Sequence, residues 1–332
     1  VLSLFLMNLL KGSLQDELDL FFRNYNSLDV EKRIVSKAAL CKARKNLSHS
    51  TFIELNQYLL GQFYEKIEFK KWKGFRLSAI DGSTLKLPRN AYVIDHFGRQ
   101  TGKEVPQARI SLRYDVLNGL AIELFVKSIH DDERRMAHQH LENTSPNDLL
   151  LFDRGYPCFS LFSAHREFGS QFVMRLPTNF SRETTGFEKS SMRETEITLK
   201  ARRPETRQRC IRAQVSPAPM RIRLIKIRLP RGKIEILATS LLDKHLYPRS
   251  DFKNLYALRW AIEEDSKRKK FGWSMRIFQG NPSSLFIKIF TRNYIFKMWR
   301  PSSVAPPIRC CKSGTRIENL NIKLTKHKPY QK

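Results

Sequence analysis

No Cys-x-x-Cys pair occurs in this sequence. Its five cysteines (Cys41, Cys158, Cys210, Cys310 and Cys311) are odd in number and irregularly spaced. Neither a zinc ribbon nor a disulfide framework is indicated, and a reducing, cytoplasmic compartment suits the chain best. A Gly-rich phosphate loop is also missing. The apolar opening VLSLFLMNLL is only ten residues long, with Lys11 after it and no basic segment before it, so it is neither a membrane span nor a signal peptide. Val1 fits either an alternative start codon or a fragment. Acidic side chains are scarce beside basic ones, 32 against 60, and the resulting charge of +28 exceeds what solubility requires. A polyanionic partner follows. The cations are interleaved with 22 Phe, 10 Tyr and 4 Trp, which favours nucleic acid over a membrane surface. A purely structural nucleic-acid protein would be equally basic, so charge narrows the partner and not the activity.

What is present begins with enough apolar material for a core: 41% of 332 residues, sufficient for two or three domains or for one domain with an insertion. Helical periodicity covers LQDELDLFFRNYN from Leu14, VEKRIVSKAALCKARKNL from Val30, and STFIELNQYLLGQFYEKI from Ser50. The second of these carries Lys32, Arg33, Lys37, Lys42, Arg44 and Lys45, and reads either as a DNA-facing helix or as an ordinary amphipathic one. From Phe75 the period changes to that of strands. FRLSAID is expected to end at Asp81, where Gly82, Ser83 and Thr84 read as a turn. ARISLRYDV and LAIELFVKSI follow around Asn118-Gly119, a hairpin signal. His130 to Glu142 reads as a polar helix with solvated side chains, leaving His138 and His140 little claim to a metal. The run LLLF before Asp153 is a buried strand; a helix over PCFSLFSAHREFG and a strand over QFVMRLP complete a β-β-β-α-β-α-β order, a mixed α/β sheet.

Two aspartates leaving adjacent strands of one sheet, with a glutamate from a helix packed on it, can converge on a small volume. Mg²⁺ prefers oxygen ligands, takes one or two protein carboxylates, and fills its other positions with water and substrate phosphates. Two such ions about 4 Å apart serve in-line phosphoryl displacement. The candidate ligands are Asp81, Asp153 and Glu263, with Mn²⁺ able to substitute. An aspartate alone at a strand end is more often a turn former or helix cap; the shared topological context of the two favours the ligand reading. Arg154, next to Asp153, can steady a phosphate or pair with a carboxylate. Ser83 and Thr84 lack a paired base and suit turn or ligand-orienting roles.

The glutamate belongs to YALRWAIEEDSKRKK, Tyr256 to Lys270, which has no Gly or Pro. At about 100° per residue, Tyr256, Arg259, Glu263 and Lys270 share one stripe, and Leu255, Leu258 and Ile262 form an apolar one. Trp260, at about 40°, can reach DNA or a flipped base, or pack into the core. The spacing Y-(2)-R-(3)-E-(6)-K, with AIDGST around Asp81, LLFDRGY around Asp153 and RWAIEE around Glu263, resembles the DDE transposases of bacterial insertion sequences of the YREK-signature, insertion-sequence-four type. The resemblance extends over roughly residues 38 to 280.

This resemblance implies a ribonuclease-H-like catalytic fold and cut-and-paste DNA transposition by end nicking, hairpin formation and opening, and strand transfer. It implies that Asp81, Asp153 and Glu263 are catalytic, and that Tyr256, Arg259 and Lys270 hold phosphates near the transposon end. The partners would be double-stranded inverted-repeat ends and target DNA, engaged by a homodimer in a synaptic complex near the nucleoid, with no membrane. The expected organisation is an N-terminal helical DNA-binding region (1–70), a catalytic domain in two parts (71–176 and 234–300) around a β-rich insertion (177–233), and an irregular basic tail (301–332). Arg276 stands where family members often carry an acid ahead of a Phe-x-Gly turn, and the tail replaces an expected helical segment. A truncated, impaired copy is therefore one expectation. The alternatives are a catalytically inactive DNA-binding remnant and a generic ribonuclease-H-like nuclease.

Overall fold

Among the described elements, three helices come first: α1 (Leu14–Tyr25), α2 (Lys37–Asn46) and α3 (Ser50–Lys66). The structure, a computed structural model, describes residues 2, 5, 13–30, 33–48, 50–228 and 234–260; all of them fall within the unit spanning Val1–Trp299. Glu263, Lys270, Arg276 and the tail lie outside the described residues. The second helix begins only at Lys37, later than its periodicity suggested. Phe5, Leu18, Leu40 and Phe52 pack as a small core of their own. α3 docks this bundle on the sheet: the Asn56 amide donates to the carbonyls of Ala121 and Ile122 at 3.1 and 3.3 Å.

The remaining described elements run β1 (Arg76–Lys86), α4 (Ala91–Phe97), β2 (Gln107–Asp115), β3 (Leu120–Ser128), α5 (Glu133–Leu141), β4 (Asp148–Phe152), α6 (Phe159–Phe168) and β5 (Gln171–Arg175). Then come α7 (Arg182–Lys189), β6 (Glu194–Leu199), α8 (Pro204–Arg212), β7 (Met220–Arg228), β8 (Ile234–Thr239) and α9 (Asp251–Ala257). The strands form one eight-stranded sheet in the order β3-β2-β1-β4-β5-β8-β7-β6. β1, β4 and β5 are parallel, β2 runs against both β1 and β3, and β8 runs against both β5 and β7. The expected mixed α/β sheet with flanking helices is what the chain builds. Between β5 and β8 the chain supplies two helices and two strands, and β6 and β7 continue the main sheet through β8.

β4 explains the centre of the sheet. All five of its residues, DLLLF, are buried, as a strand covered on both faces requires. Leu149 and Leu151 face one apolar cluster with Leu77, Ala79, Phe97, Phe252 and Leu255. Leu150 and Phe152 face the other, with Ile80, Ala137, Leu161 and Phe162. Each such side chain contributes roughly 1.5–3 kcal/mol by burial. α9 therefore covers one face, while α5 and α6 cover the other.

Two expectations change, and one short helix is added. β1 does not stop at Asp81: Gly82, Ser83 and Thr84 pair with Ser111, Ile110 and Arg109 of β2, so the strand runs on to Lys86. α4 carries no strong apolar period in its seven residues, AYVIDHF. α5 is not a solvated helix, because Met136, Ala137, His140 and Leu141 are buried. The hairpin between β2 and β3 does form, with Gly119 at φ 73°. An added Cβ there would meet nothing closer than the Tyr114 hydroxyl at 3.6 Å, so conformation alone sets the cost. Gly119→Ala is expected to lower stability by about 1 kcal/mol, and Gly119→Asn by less, in urea unfolding.

Candidate catalytic site

The parallel ladder between β1 and β4 runs from Arg76 opposite Asp148 to Ala79 opposite Leu151. Two residues further on, the same register sets Asp81 opposite Asp153, at about the 4.8 Å spacing of neighbouring strands. Strand alternation turns both toward the face carrying Leu77, Ala79, Leu149 and Leu151, the face that α9 covers. Asp81 thus sits inside a strand whose pairing to β2 continues, and Asp153 just past the end of one.

The Asp153 carboxylate is only partly enclosed. Its Oδ1 is itself buried and has no hydrogen-bond partner among the described residues; the Arg175 guanidinium lies 3.8 Å away and is shared with Glu235 at 2.8 Å. Ser83 Oγ, on the same face as Asp81, is likewise buried without a hydrogen bond among the described residues. Orphaned, buried oxygens beside a carboxylate fit a site that receives a cation or an oxyanion, because leaving such groups unpaired costs about 1–3 kcal/mol each. Among the described residues no group of three or more His, Cys, Asp or Glu is arranged to hold a metal ion; Glu263, the third candidate, lies outside them.

On the opposite face, α5 and the turn after β4 bring up Glu133 and Tyr156. Glu133 opens α5 behind the Asp132 cap, whose carboxylate accepts from the Arg134 amide at 2.9 Å, and its carboxylate pairs with Arg109 of β2. Tyr156 is 3% exposed, and its Oη has no hydrogen-bond partner among the described residues. Burial first, then the charges of Asp81, Glu133 and Asp153, pushes the Tyr156 phenol well above its ordinary pKa, so it stays protonated. The sequence hid Glu133 inside the polar run HDDER, where Asp-Asp-Glu reads as a helix cap, and hid Arg109 and Arg175 among many cations.

Of the signature residues, Tyr256 and Arg259 are described, and both are packed inward and not on a charged outer stripe. Tyr256 is buried beside Leu255, and its hydroxyl donates to the Phe152 carbonyl at 3.3 Å, the residue before Asp153. Burial raises its pKa above the ordinary phenol value, with the Arg259 charge opposing. Arg259 is 1% exposed, and its guanidinium carbon lies 5.6 Å from the Tyr256 ring centre and 5.2 Å from that of Trp260. Trp260 is half exposed. Arg154 stands exposed in the turn after Asp153. His138 and His140 serve structure: His140 is fully buried, with Nδ1 2.6 Å from Glu123 and Nε2 3.0 Å from Ser111, and burial lowers its pKa against the pull of Glu123. His138 Nε2 lies 3.2 Å from Ser160 Oγ. The described cysteines are free thiols, and no described helix is long and apolar enough to cross a membrane.

Residues 72–289, which include Asp81 and Asp153, match the family profile described as Transposase DDE domain. The chain belongs to that family of DDE transposases, whose members generally use divalent metal ions. Over 248 residues it is 24% identical to the transposase InsG for insertion sequence element IS4 of Escherichia coli (strain K12), an alignment covering 72% of this chain and 54% of that protein. The chain thus spans about half the length of this relative. A cryo-EM structure of the piggyBac transposase synaptic complex with hairpin DNA aligns over 89% of this chain and 62% of its own, with a TM-score of 0.42 and 12% identity.

Proposed function

We propose that this protein is a DNA transposase of an insertion sequence, cutting and joining phosphodiesters at the element's ends. The observation that carries this reading is the β1/β4 register, which, continued two residues past Ala79 and Leu151, brings Asp81 opposite Asp153 beside orphaned, buried oxygens. Asp81 and Asp153, with Glu263, would hold Mg²⁺, or Mn²⁺ in its place. When bound, the cation supplies charge neutralisation at the phosphate and a lowered pKa for the attacking hydroxyl. The chain's own groups account for the rest. Arg175 sets a positive charge 3.8 Å from the Asp153 carboxylate. Tyr256 fixes the backbone just before Asp153 through its hydrogen bond to Phe152. Trp260 and Arg154, both accessible, are suited to contact DNA, and the excess of 28 positive charges attracts it along the whole surface. Tyr256 and Arg259, packed as they are, would act on DNA by shaping the helix, with Lys270 as the signature's remaining phosphate contact. End nicking, hairpin formation and opening, and strand transfer would follow at this one site, in a homodimer that pairs two ends.

The test is nicking of DNA that carries the element's inverted-repeat ends, compared with scrambled ends, with and without Mg²⁺. Cation-dependent nicking at the repeat boundary is the expected result. Binding without nicking would indicate an inactive end-binding protein, and cutting without end preference a generic nuclease; either outcome overturns the proposal.

A further inference from the structure

β5 and β8 carry the row of charged residues beyond Asp153. Phe152 pairs with Met174 in the parallel β4/β5 ladder, so one step further the same register sets Arg175 opposite Asp153. On its other side Arg175 pairs with Leu237 of β8, whose side chain belongs to the cluster under α9. Glu235, two residues before Leu237, points to that same face. Asp81, Asp153, Arg175 and Glu235 therefore follow one another across β1, β4, β5 and β8 on one side of the sheet.

The Arg175 guanidinium is shared unequally between its two carboxylates. Nη2 meets Glu235 Oε1 at 2.8 Å, whereas Nη1 stops 3.8 Å from Asp153 Oδ1. The first is a charge-assisted hydrogen-bond length, about 2.7–2.9 Å; the second is too long for a hydrogen bond. Asp153 Oδ1 is left buried with no hydrogen bond among the described residues. Closing the gap would satisfy that oxygen, so the fold alone favours a closed Arg175–Asp153 pair. Glu235 supplies the opposing pull. Its side chain is 8% exposed, and a carboxylate so placed stays ionised beside a cation; Arg175 is the cation it meets among the described residues.

We propose that Glu235 is a positioning residue for Asp153: by holding Arg175 it keeps the guanidinium from closing on Oδ1, and so leaves that oxygen unpaired for the ligand of the site. The inference rests on reading Asp81 and Asp153 as a divalent-cation site. A guanidinium closed on Asp153 would occupy the same oxygen and bring its positive charge nearer the place where a cation must enter.

The experiment compares the unmutated chain with Glu235→Leu, Glu235→Gln, the double variant Glu235→Leu/Arg175→Met, and Asp153→Asn, all bound to end-bearing DNA. Two readouts need no turnover: Mn²⁺ affinity by titration calorimetry, and the Arg175–Asp153 distance in crystals grown without metal. Thermal midpoints are taken in parallel. In Glu235→Leu the gap should close to hydrogen-bond length and Mn²⁺ affinity should fall about tenfold. Glu235→Gln should shift both in the same direction by less, which keeps the test open if Glu235→Leu fails to fold. The double variant removes the competing guanidinium together with its partner, and should return Mn²⁺ affinity to within about threefold of the unmutated chain. A side chain that served only the fold would lower thermal midpoints with no such recovery. That result, or unchanged Mn²⁺ affinity in a folded Glu235 variant, would overturn the inference. If Asp153→Asn takes up Mn²⁺ like the unmutated chain, the proposed function itself fails. If Asp153→Asn loses Mn²⁺ while both Glu235 variants keep it, only this inference does.

Discussion

Asp81→Asn and Asp153→Asn are each expected to slow Mg²⁺-dependent nicking of end-bearing DNA on the order of 10³-fold, while leaving DNA binding within about twofold. Asn preserves shape and removes the charge, so the variants should fold. Because both carboxylates serve one site, the double variant should be scarcely slower than either single one. Single-turnover nicking with gel quantification reads this directly. Additive losses would mean that the two aspartates act separately, against the register that sets them opposite one another.

Asp148→Leu should be the most damaging change to stability, by about 3–5 kcal/mol. Asp148 opens β4 with its side chain fully buried. It accepts from Arg76 Nε at 2.5 Å and Nη2 at 2.8 Å, and from the Ser145 amide at 2.8 Å. Arg113 Nη2 lies 3.0 Å from it, a charge pairing whose geometry does not make a hydrogen bond. Arg113 is wholly buried and also donates to the Asn143 carbonyl at 2.8 Å. Burial lowers its proton affinity against the pull of Asp148, but a guanidinium keeps its charge regardless. Removing Asp148 would strand that cation at the point where β1, β2 and β4 meet. The same pairing, Arg76 opposite Asp148, starts the ladder that delivers Asp81 to Asp153, so the substitution should loosen the site as well as the fold. Urea unfolding measures the loss, and a cost under about 1 kcal/mol would mean the cluster is not an anchor.

The same carboxylate gives a pH dependence. Burial pushes the Asp148 pKa up, but the hydrogen bonds from Arg76 and the charges of Arg113 and Arg76 outweigh it and hold the value below the ordinary carboxylate range. Its folded value is therefore depressed. The stability it contributes is fully present above the unfolded pKa of about 3.9 and is lost as pH falls through the lower folded value. Unfolding followed from pH 7 down to pH 2 should show this acid loss in the unmutated chain and a flatter limb in Asp148→Leu.

How much of this was legible in the sequence depended on which interactions were local. β4 and Asp153 were readable because LLLF is a short apolar run that ends at a charge. The end of β1 was misread because Gly82-Ser83-Thr84 is turn chemistry locally, whereas pairing with Ser111, Ile110 and Arg109 across a long connection overrides it. Glu133 looked solvated because its helix begins in a run of charges; its place beside Gly82 depends on a side chain that glycine lacks, which no periodicity encodes. The Tyr256 phenol reads as part of a polar stripe, but packing under β4 uses the ring and gives the hydroxyl a backbone carbonyl. The α5 histidines were likewise judged by polarity, while Glu123 and Ser111, brought by β3 and β2, allow His140 to be buried.

The central claim is that Asp81 and Asp153, set in register at the centre of the sheet, bind a divalent cation together. Electron paramagnetic resonance titration of Mn²⁺ into the complex with end-bearing DNA tests it most directly. The unmutated chain should take up Mn²⁺ at least about tenfold more tightly than the Asp81→Asn/Asp153→Asn double variant; equal uptake by the two would contradict it.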